Sequence, residues 1–219
     1  MMLSLIGNEI LLYGIIGPSE LGYISAMDII EALAAVEGKS IALRINSAGG
    51  SCDQSIAIYN SIKRRRGKTT IYVDSVAASI ASVIAMAGDE VIMAKGSKLM
   101  VHKPWTLTQG NADDLRKMAD LLDKYSEGLY DIYAERTGMS REALEELLSK
   151  ETWLTDKEAV DMKFADAIEG TVTESPSVPK GMFAEVPPDV QQVEMKSTKR
   201  IDQLRLAMKI QQLRRPRST

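Results

Sequence analysis

Ile41-Ala42-Leu43-Arg44-Ile45-Asn46-Ser47-Ala48-Gly49-Gly50 reads as a strand that runs into a tight turn. Its first five residues have strand character, and the asparagine, serine and paired glycines that follow punctuate it. The pattern predicts a helix over about 53–66 and a second strand over 69–73. Strands alternating with helices argue for an α/β domain with largely parallel pairing.

The alternation extends in both directions. Upstream, 9–16 is apolar and β-rich until Gly17-Pro18-Ser19 breaks it. Ser19 is placed to cap a helix reaching about Val36, with Ile24, Met27, Ile30, Leu33 and Ala34 at helical spacing. Downstream, 75–88 is a run of 14 mostly apolar and small residues between Asp74 and Asp89. It predicts a buried helix, because a membrane span needs roughly 20 apolar residues. Strands are expected over 90–94 and 99–102, around Lys95-Gly96-Ser97. A long amphipathic helix is expected over 112–137, where Leu115, Met118, Leu122, Tyr125, Leu129, Ile132 and Tyr133 recur at helical spacing. Ser140 begins a shorter helix as its N-cap, and Thr155 with Glu158 has capping-box spacing.

After Gly170 the pattern dissolves. Four of the seven prolines fall within 173–188, which marks a linker. The predicted organisation is a domain over 1–170, a linker over 171–189 and a basic extension over 190–219, helical or disordered. Charge divides the chain the same way. Residues 195–219 hold eight Lys/Arg against Asp202, +7, and the remainder holds 19 basic against 29 acidic residues, −10. That extension has no aromatic residue, which argues against nucleic acid as its partner. Cys52 is the only cysteine, so no intrachain disulfide forms, which suits a reducing compartment. The first basic residue is Lys39, and a secretory leader would carry one near its start. A cytoplasmic protein without membrane association is expected.

Chemistry is concentrated in three motifs. His102 is the single histidine, so imidazole acid–base chemistry has one candidate. It closes the apolar run Lys98-Leu99-Met100-Val101-His102-Lys103-Pro104. About twenty residues earlier lies Val76-Ala77-Ala78-Ser79-Ile80-Ala81-Ser82. A serine needs a base within hydrogen-bond reach to become a nucleophile, so the fold must bring Ser79 to His102. The third motif is the glycine pair Gly49-Gly50, where backbone N–H groups can face a ligand oxygen without a Cβ in the way. Taken singly, each motif has an ordinary structural reading: a turn, close helix packing, a strand end.

In this order and at this spacing the three motifs resemble the Clp protease proteolytic subunit family, ClpP. That family has an Asn-Ser-Pro-Gly-Gly turn, a Gly-Gln-Ala-Ala-Ser segment and a Met-Ile-His-Gln-Pro strand. The resemblance continues through Tyr133-Ala134-Glu135-Arg136-Thr137-Gly138-Met139-Ser140, Trp153-Leu154-Thr155-Asp156-Lys157-Glu158-Ala159 and Phe164-Ala165-Asp166. It covers about 9–169, with Ala48 in place of proline and Val76 in place of glutamine. It implies a ClpP/crotonase-like fold of repeated β-β-α units with a long protruding interface helix.

The resemblance also implies an activity: a serine endopeptidase working through an acyl-enzyme, with no cofactor and no metal. Ser79 is then the nucleophile, His102 the general base, and the N–H groups of Gly50 and Ile80 the oxyanion donors. The family's triad aspartate corresponds to Glu151, with Asp156 and Asp113 as alternatives. The implied partners are a polypeptide substrate and further copies of the chain in a heptameric ring or stacked rings. Family members that work with ATP-driven unfoldases carry a longer segment before the first strand, so no unfoldase partner is expected. The Glu-Thr-Trp segment and C-terminal extension resemble the head-maturation proteases of tailed phages and prophages. On that comparison the extension would tether the protease to a capsid or scaffold protein. Two other readings use the same fold. One is an inactive or conditionally active scaffold module. The other is a crotonase-type acyl-CoA enzyme, which would not need Ser79 or His102.

Overall fold

The computed structural model describes residues 2–170. The linker expected at 171–189 and the extension at 190–219 lie outside the described residues. The elements run β1 (Met2–Ile6), β2 (Glu9–Tyr13), α1 (Ala26–Ala35), β3 (Ile41–Ser47), α2 (Cys52–Arg64), β4 (Thr69–Ala78) and α3 (Ile80–Ala85). They continue with β5 (Glu90–Met93), β6 (Lys98–Val101), α4 (Ala112–Thr137), α5 (Arg141–Ser149), β7 (Thr152–Thr155), α6 (Asp156–Asp161) and β8 (Ala167–Ile168).

All eight strands form one sheet. Its main path is β1-β2-β3-β4-β5-β8, and β6 joins β4 to β7 beside it. Pairing is parallel throughout except at β1–β2 and β6–β7. On β3 the alternate residues Ile41, Leu43, Ile45 and Ser47 are buried. The three apolar ones share the main core with Ile29 and Leu33 of α1 and Ile58 and Ile62 of α2. The other face of β2–β4 carries a polar network. Arg44 Nε donates to Asp74 at 2.8 Å, the Tyr13 hydroxyl donates to the same carboxylate, and the Arg44 guanidinium lies 4.7 Å from the Tyr72 ring centre. One arginine thereby links the second faces of three strands.

The structure corrects the expected elements in four places. β1, which precedes the expected first strand, pairs antiparallel with β2 through a two-residue turn at Gly7-Asn8, where Gly7 has φ 63°. The helix expected from Ser19 begins at Ala26: Ser19–Leu21 makes one 3-10 turn that stops at Gly22 in the left-handed region. The cap is Ser25, whose hydroxyl accepts from Asp28 N at 3.2 Å while the Asp28 carboxylate accepts from Ser25 N at 2.8 Å. The run 75–88 is not one helix. β4 extends through Ala78, and only Ile80–Ala85 is helical. Finally, β7 is a strand that apolar periodicity did not signal.

The extension of β4 positions everything that follows. Its first half pairs with β5, from Thr70↔Glu90 to Val73↔Met93. Its second half pairs with β6, from Val76↔Lys98 to Ala78↔Met100. Between the halves its register against β3 shifts, from Ile45↔Val73 to Ser47↔Ala77. This irregularity re-aims the strand. Among the described residues no helix is long and apolar enough to cross a membrane.

Leu43 has no exposed surface at the centre of this sheet. Leu43→Ala is expected to cost about 2–5 kcal/mol, the range for a buried leucine truncated in place. Urea unfolding checks this, with exposed Lys39→Ala expected to stay near the parent midpoint.

Candidate active site

Parallel α/β sheets gather functional groups at the carboxyl ends of their strands, and the three sequence motifs meet there. The glycine turn follows β3, Ser79 follows β4 and His102 follows β6. Because Ala78 pairs with Met100 in parallel register, Ser79 and His102 leave the sheet together. The Ser79 N–H donates to Met100 O at 2.9 Å. The Ser79 hydroxyl stands 2.6 Å from His102 Nε2.

Ser79 has φ 55° and ψ −132°. A non-glycine residue held in such a region costs of order 1–3 kcal/mol and persists only where surrounding bonds fix it. Its carbonyl is fixed twice, by Ser82 N at 3.0 Å and by the Ser82 hydroxyl at 2.5 Å. Ser82 and its partner Tyr133, 2.7 Å away, carry no functional role in the sequence reading, where one belongs to a small-residue run and the other to an apolar helix face. A serine among alanines and a tyrosine on an apolar helix face carry no sign of a shared hydrogen bond.

On the other side of the imidazole, Glu151 Oε2 is 3.5 Å from His102 Nδ1. The histidine side chain is 13% exposed and the glutamate 59%, so the pair sits at the rim of the site. Glu151 has φ 50° in the turn that ends α5. Two bonds set that turn beside the histidine: Lys103 N–H donates to Leu148 O at 3.1 Å, and the Thr152 hydroxyl donates to Leu147 O at 2.7 Å. The antiparallel pairing of β6 and β7 explains why Glu151 meets His102 and Asp156 does not. Val101 faces Thr152 at one end, and Lys98 faces Thr155 at the other. Asp156 therefore accepts from Gly96 N at 2.8 Å, a bond that lowers its pKa. Asp113 sits in the first turn of α4, paired with Arg116 at 2.8 Å.

The glycine turn packs directly on the serine. A Cβ built on Gly49, whose φ is +93°, would lie 2.8 Å from Ser79 Cβ and 3.2 Å from Ile80 N. One on Gly50, φ +144°, would lie 2.0 Å from Ile16 O. The Ser47 hydroxyl, buried, accepts from Gly49 N at 3.1 Å and closes the turn. Among the described residues no acceptor takes the Gly50 N–H or the Ile80 N–H. The cluster offers a hydroxyl on an imidazole, a carboxylate beyond it and two uncommitted backbone donors. No group of three or more His, Cys, Asp or Glu among the described residues is placed to hold a metal ion.

Comparison with known proteins gives the family. The family profile described as Clp protease matches residues 14–171. The chain is 35% identical over 153 residues to the ATP-dependent Clp protease proteolytic subunit 1 of Chlamydia abortus, covering 66% of this chain and 79% of that one. It is 32% identical over 152 residues to the protein of the same name from Protochlamydia amoebophila, covering 66% and 74%. Among solved structures it is similar to a ClpP1 mutant from Listeria monocytogenes, with a TM-score of 0.65, 23% identity and coverage of 74% of this chain and 90% of that one. At that identity the structural likeness speaks for the fold.

Gly50→Ala tests the turn. The added methyl meets backbone at Ile16 and cannot be relieved by a side-chain rotation. We expect the variant to lower reaction of Ser79 with a fluorophosphonate by at least about 10²-fold, the scale of losing one oxyanion donor. Ala48→Ser, at an exposed position in the same turn, is expected to react at the parent rate. Mass spectrometry of the adduct against time measures both.

Proposed function

This chain belongs to the Clp protease family and is a serine-type peptidase, and from that membership we propose that Ser79, His102 and Glu151 form its catalytic triad. The observation that carries the assignment is the 2.6 Å contact between the Ser79 hydroxyl and His102 Nε2. Nε2 accepts the serine proton as the oxygen attacks the scissile carbonyl, and Nδ1 then carries the proton that faces Glu151. The tetrahedral oxyanion is met by the N–H groups of Gly50 and Ile80, which lie preorganised on either side of the packed Gly49–Ser79 contact. His102 returns the proton to the departing amine, leaving the acyl group on Ser79. Water, activated by the same imidazole, releases it. Glu151 orients the ring and stabilises the imidazolium. At 3.5 Å, and largely exposed, it does so more weakly than a buried carboxylate in hydrogen-bond contact.

The substrate is a polypeptide, and the assembly is a heptameric ring or a stack of such rings. Support for self-association comes from exposed apolar side chains. Trp105 is 73% exposed and Leu107 91%, and Leu115 and Leu121 stand out from the first turns of α4. The biological role that fits the chain is capsid maturation in a phage or prophage. The Glu151-Thr152-Trp153 segment supports that role. So does the proline-bearing, basic stretch beyond residue 171, where the family match ends. In this role the extension engages a capsid or scaffold protein. A second reading, a scaffold module that is inactive until a partner tightens the site, draws on the long His102–Glu151 separation. Catalytic contacts are often loose in the free enzyme and close when substrate binds.

Labelling with a fluorophosphonate separates these readings. Attachment at Ser79, absent from Ser79→Ala and from His102→Ala, is the expected result. Peptidase turnover should fall by at least about 10⁴-fold in either variant and by a smaller factor, on the order of 10²-fold, in Glu151→Ala. Native mass spectrometry of the labelled protein should give a multiple of seven chains. Full turnover in His102→Ala would exclude this triad, and absent labelling of assembled protein would favour the scaffold. For the role itself, particles assembled with Ser79→Ala should retain an uncleaved coat or scaffold precursor, whereas parent particles should hold the trimmed form.

A further inference from the structure

Beneath the nucleophile lies a hydrogen-bond chain that the triad does not use. Ser82, with no exposed surface, donates its hydroxyl proton to Ser79 O at 2.5 Å. A hydroxyl has one proton, so at its 2.7 Å contact with Tyr133 the Ser82 oxygen accepts and the phenol donates. The direction is therefore Tyr133 O–H to Ser82 Oγ, and Ser82 O–H to Ser79 O. Tyr133 is 1% exposed and belongs to α4. Its ring is held edge-on by Phe164, with centroids 5.7 Å apart and planes at 63°. Burial pushes the phenol's pKa up, so it stays a donor across the working pH range.

The accepting carbonyl matters because of what shares its peptide plane. Ser79 C=O and Ile80 N–H belong to one planar trans unit, and in such a unit the two groups point in opposite directions. Holding the carbonyl toward Ser82 therefore aims the Ile80 N–H the other way, away from Ser82. Ser79 holds φ 55° and ψ −132° in this orientation. We propose that Ser82 and Tyr133 are positioning residues for the oxyanion donor, locking the Ser79–Ile80 peptide plane to α4. This inference rests on Ser79 being the nucleophile. It adds that the donor's aim is set by a buried two-hydroxyl chain from another helix.

A serine in a helix can bond back to a preceding carbonyl for purely local reasons. The second link, to a buried tyrosine 51 positions away, makes this one a tertiary tie. Such a tie has a kinetic signature. The first-order rate of Ser79 phosphonylation at saturating fluorophosphonate reports donor alignment, and the half-saturating concentration reports binding. In Ser82→Ala and in Tyr133→Phe we expect the first-order rate to fall by about tenfold, a fraction of the loss from deleting a donor outright, with half-saturation unchanged. The double variant should be no slower than the worse single one, because both cut one chain. Ser82→Thr, which keeps the hydroxyl, should recover most of the rate. Leu43→Ala, which loosens the core at β3 and removes no hydroxyl, should lower the thermal midpoint and leave the rate alone.

Parent rates in folded Ser82→Ala and Tyr133→Phe would overturn the proposal while leaving Ser79 as nucleophile. A slow Leu43→Ala with a matching loss of stability would overturn it too, by reducing the effect to packing. Failure of the parent protein to label at Ser79 would instead remove the reading on which the proposal stands. If Ser82→Ala does not fold, Tyr133→Phe decides alone, since it removes a single atom.

Discussion

The register between β4 and β6 is the constraint on which the site depends. Ala78 opposite Met100 sends Ser79 and His102 off the same end of the sheet, one and two residues past the last pair. A side-chain period of two means that a slip of one residue would turn one of them to the opposite face. The register is held by apolar residues with no exposed surface: Ala77 on β4, Leu99 and Val101 on β6. It is reached because β4 leaves β5 after Val73 and takes up β6 from Val76. The register shift against β3 coincides with a change of the strand's neighbour, shortly before the strand ends at Ala78 and the chain turns into Ser79.

Around that point, close backbone contact replaces side-chain contact. Gly49 lies against Ser79 and Ile80, Gly50 lies against Ile16, and neither position has room for a Cβ. Ser79 holds a strained conformation because its N–H, its carbonyl and its hydroxyl each have a fixed partner. The oxyanion donors proposed here are therefore set before any substrate arrives, which is how electrostatic stabilisation avoids reorganisation during reaction. Glu151 is the loosest member, placed by a turn at the molecular surface, and the network tightens inward from it toward Ser79 and Tyr133.

Much of this was legible in the sequence. The strand-to-glycine-turn stretch at 41–50 points to the α/β class, and the motifs that hold the glycine pair, Ser79 and His102 carry the resemblance to the family. The Ser140 cap and the Thr155–Glu158 pair located α5 and α6 because their signal is local. Other features resisted for physical reasons. The small-residue run at 75–88 has no helical period to show where strand gives way to helix, so β4 was read five residues short. Ser19 and Ser25 are both competent caps, and only the left-handed Gly22 decides between them. Glu151 was found through family resemblance. Nothing in its neighbours says that β7 pairs antiparallel with β6, the pairing that separates it from Asp156. Ser82 and Tyr133 meet across a long sequence separation, and a single sequence carries no trace of that contact.

The most direct test of the account is a crystal structure of the protein after reaction with a fluorophosphonate. The account predicts phosphorus bonded to Ser79 Oγ, with the phosphonyl oxygen about 2.9 Å, an ordinary hydrogen-bond length, from both Gly50 N and Ile80 N, and His102 Nε2 still beside the ester oxygen. Phosphorus on another residue, or a phosphonyl oxygen turned toward solvent with both donors idle, would contradict it.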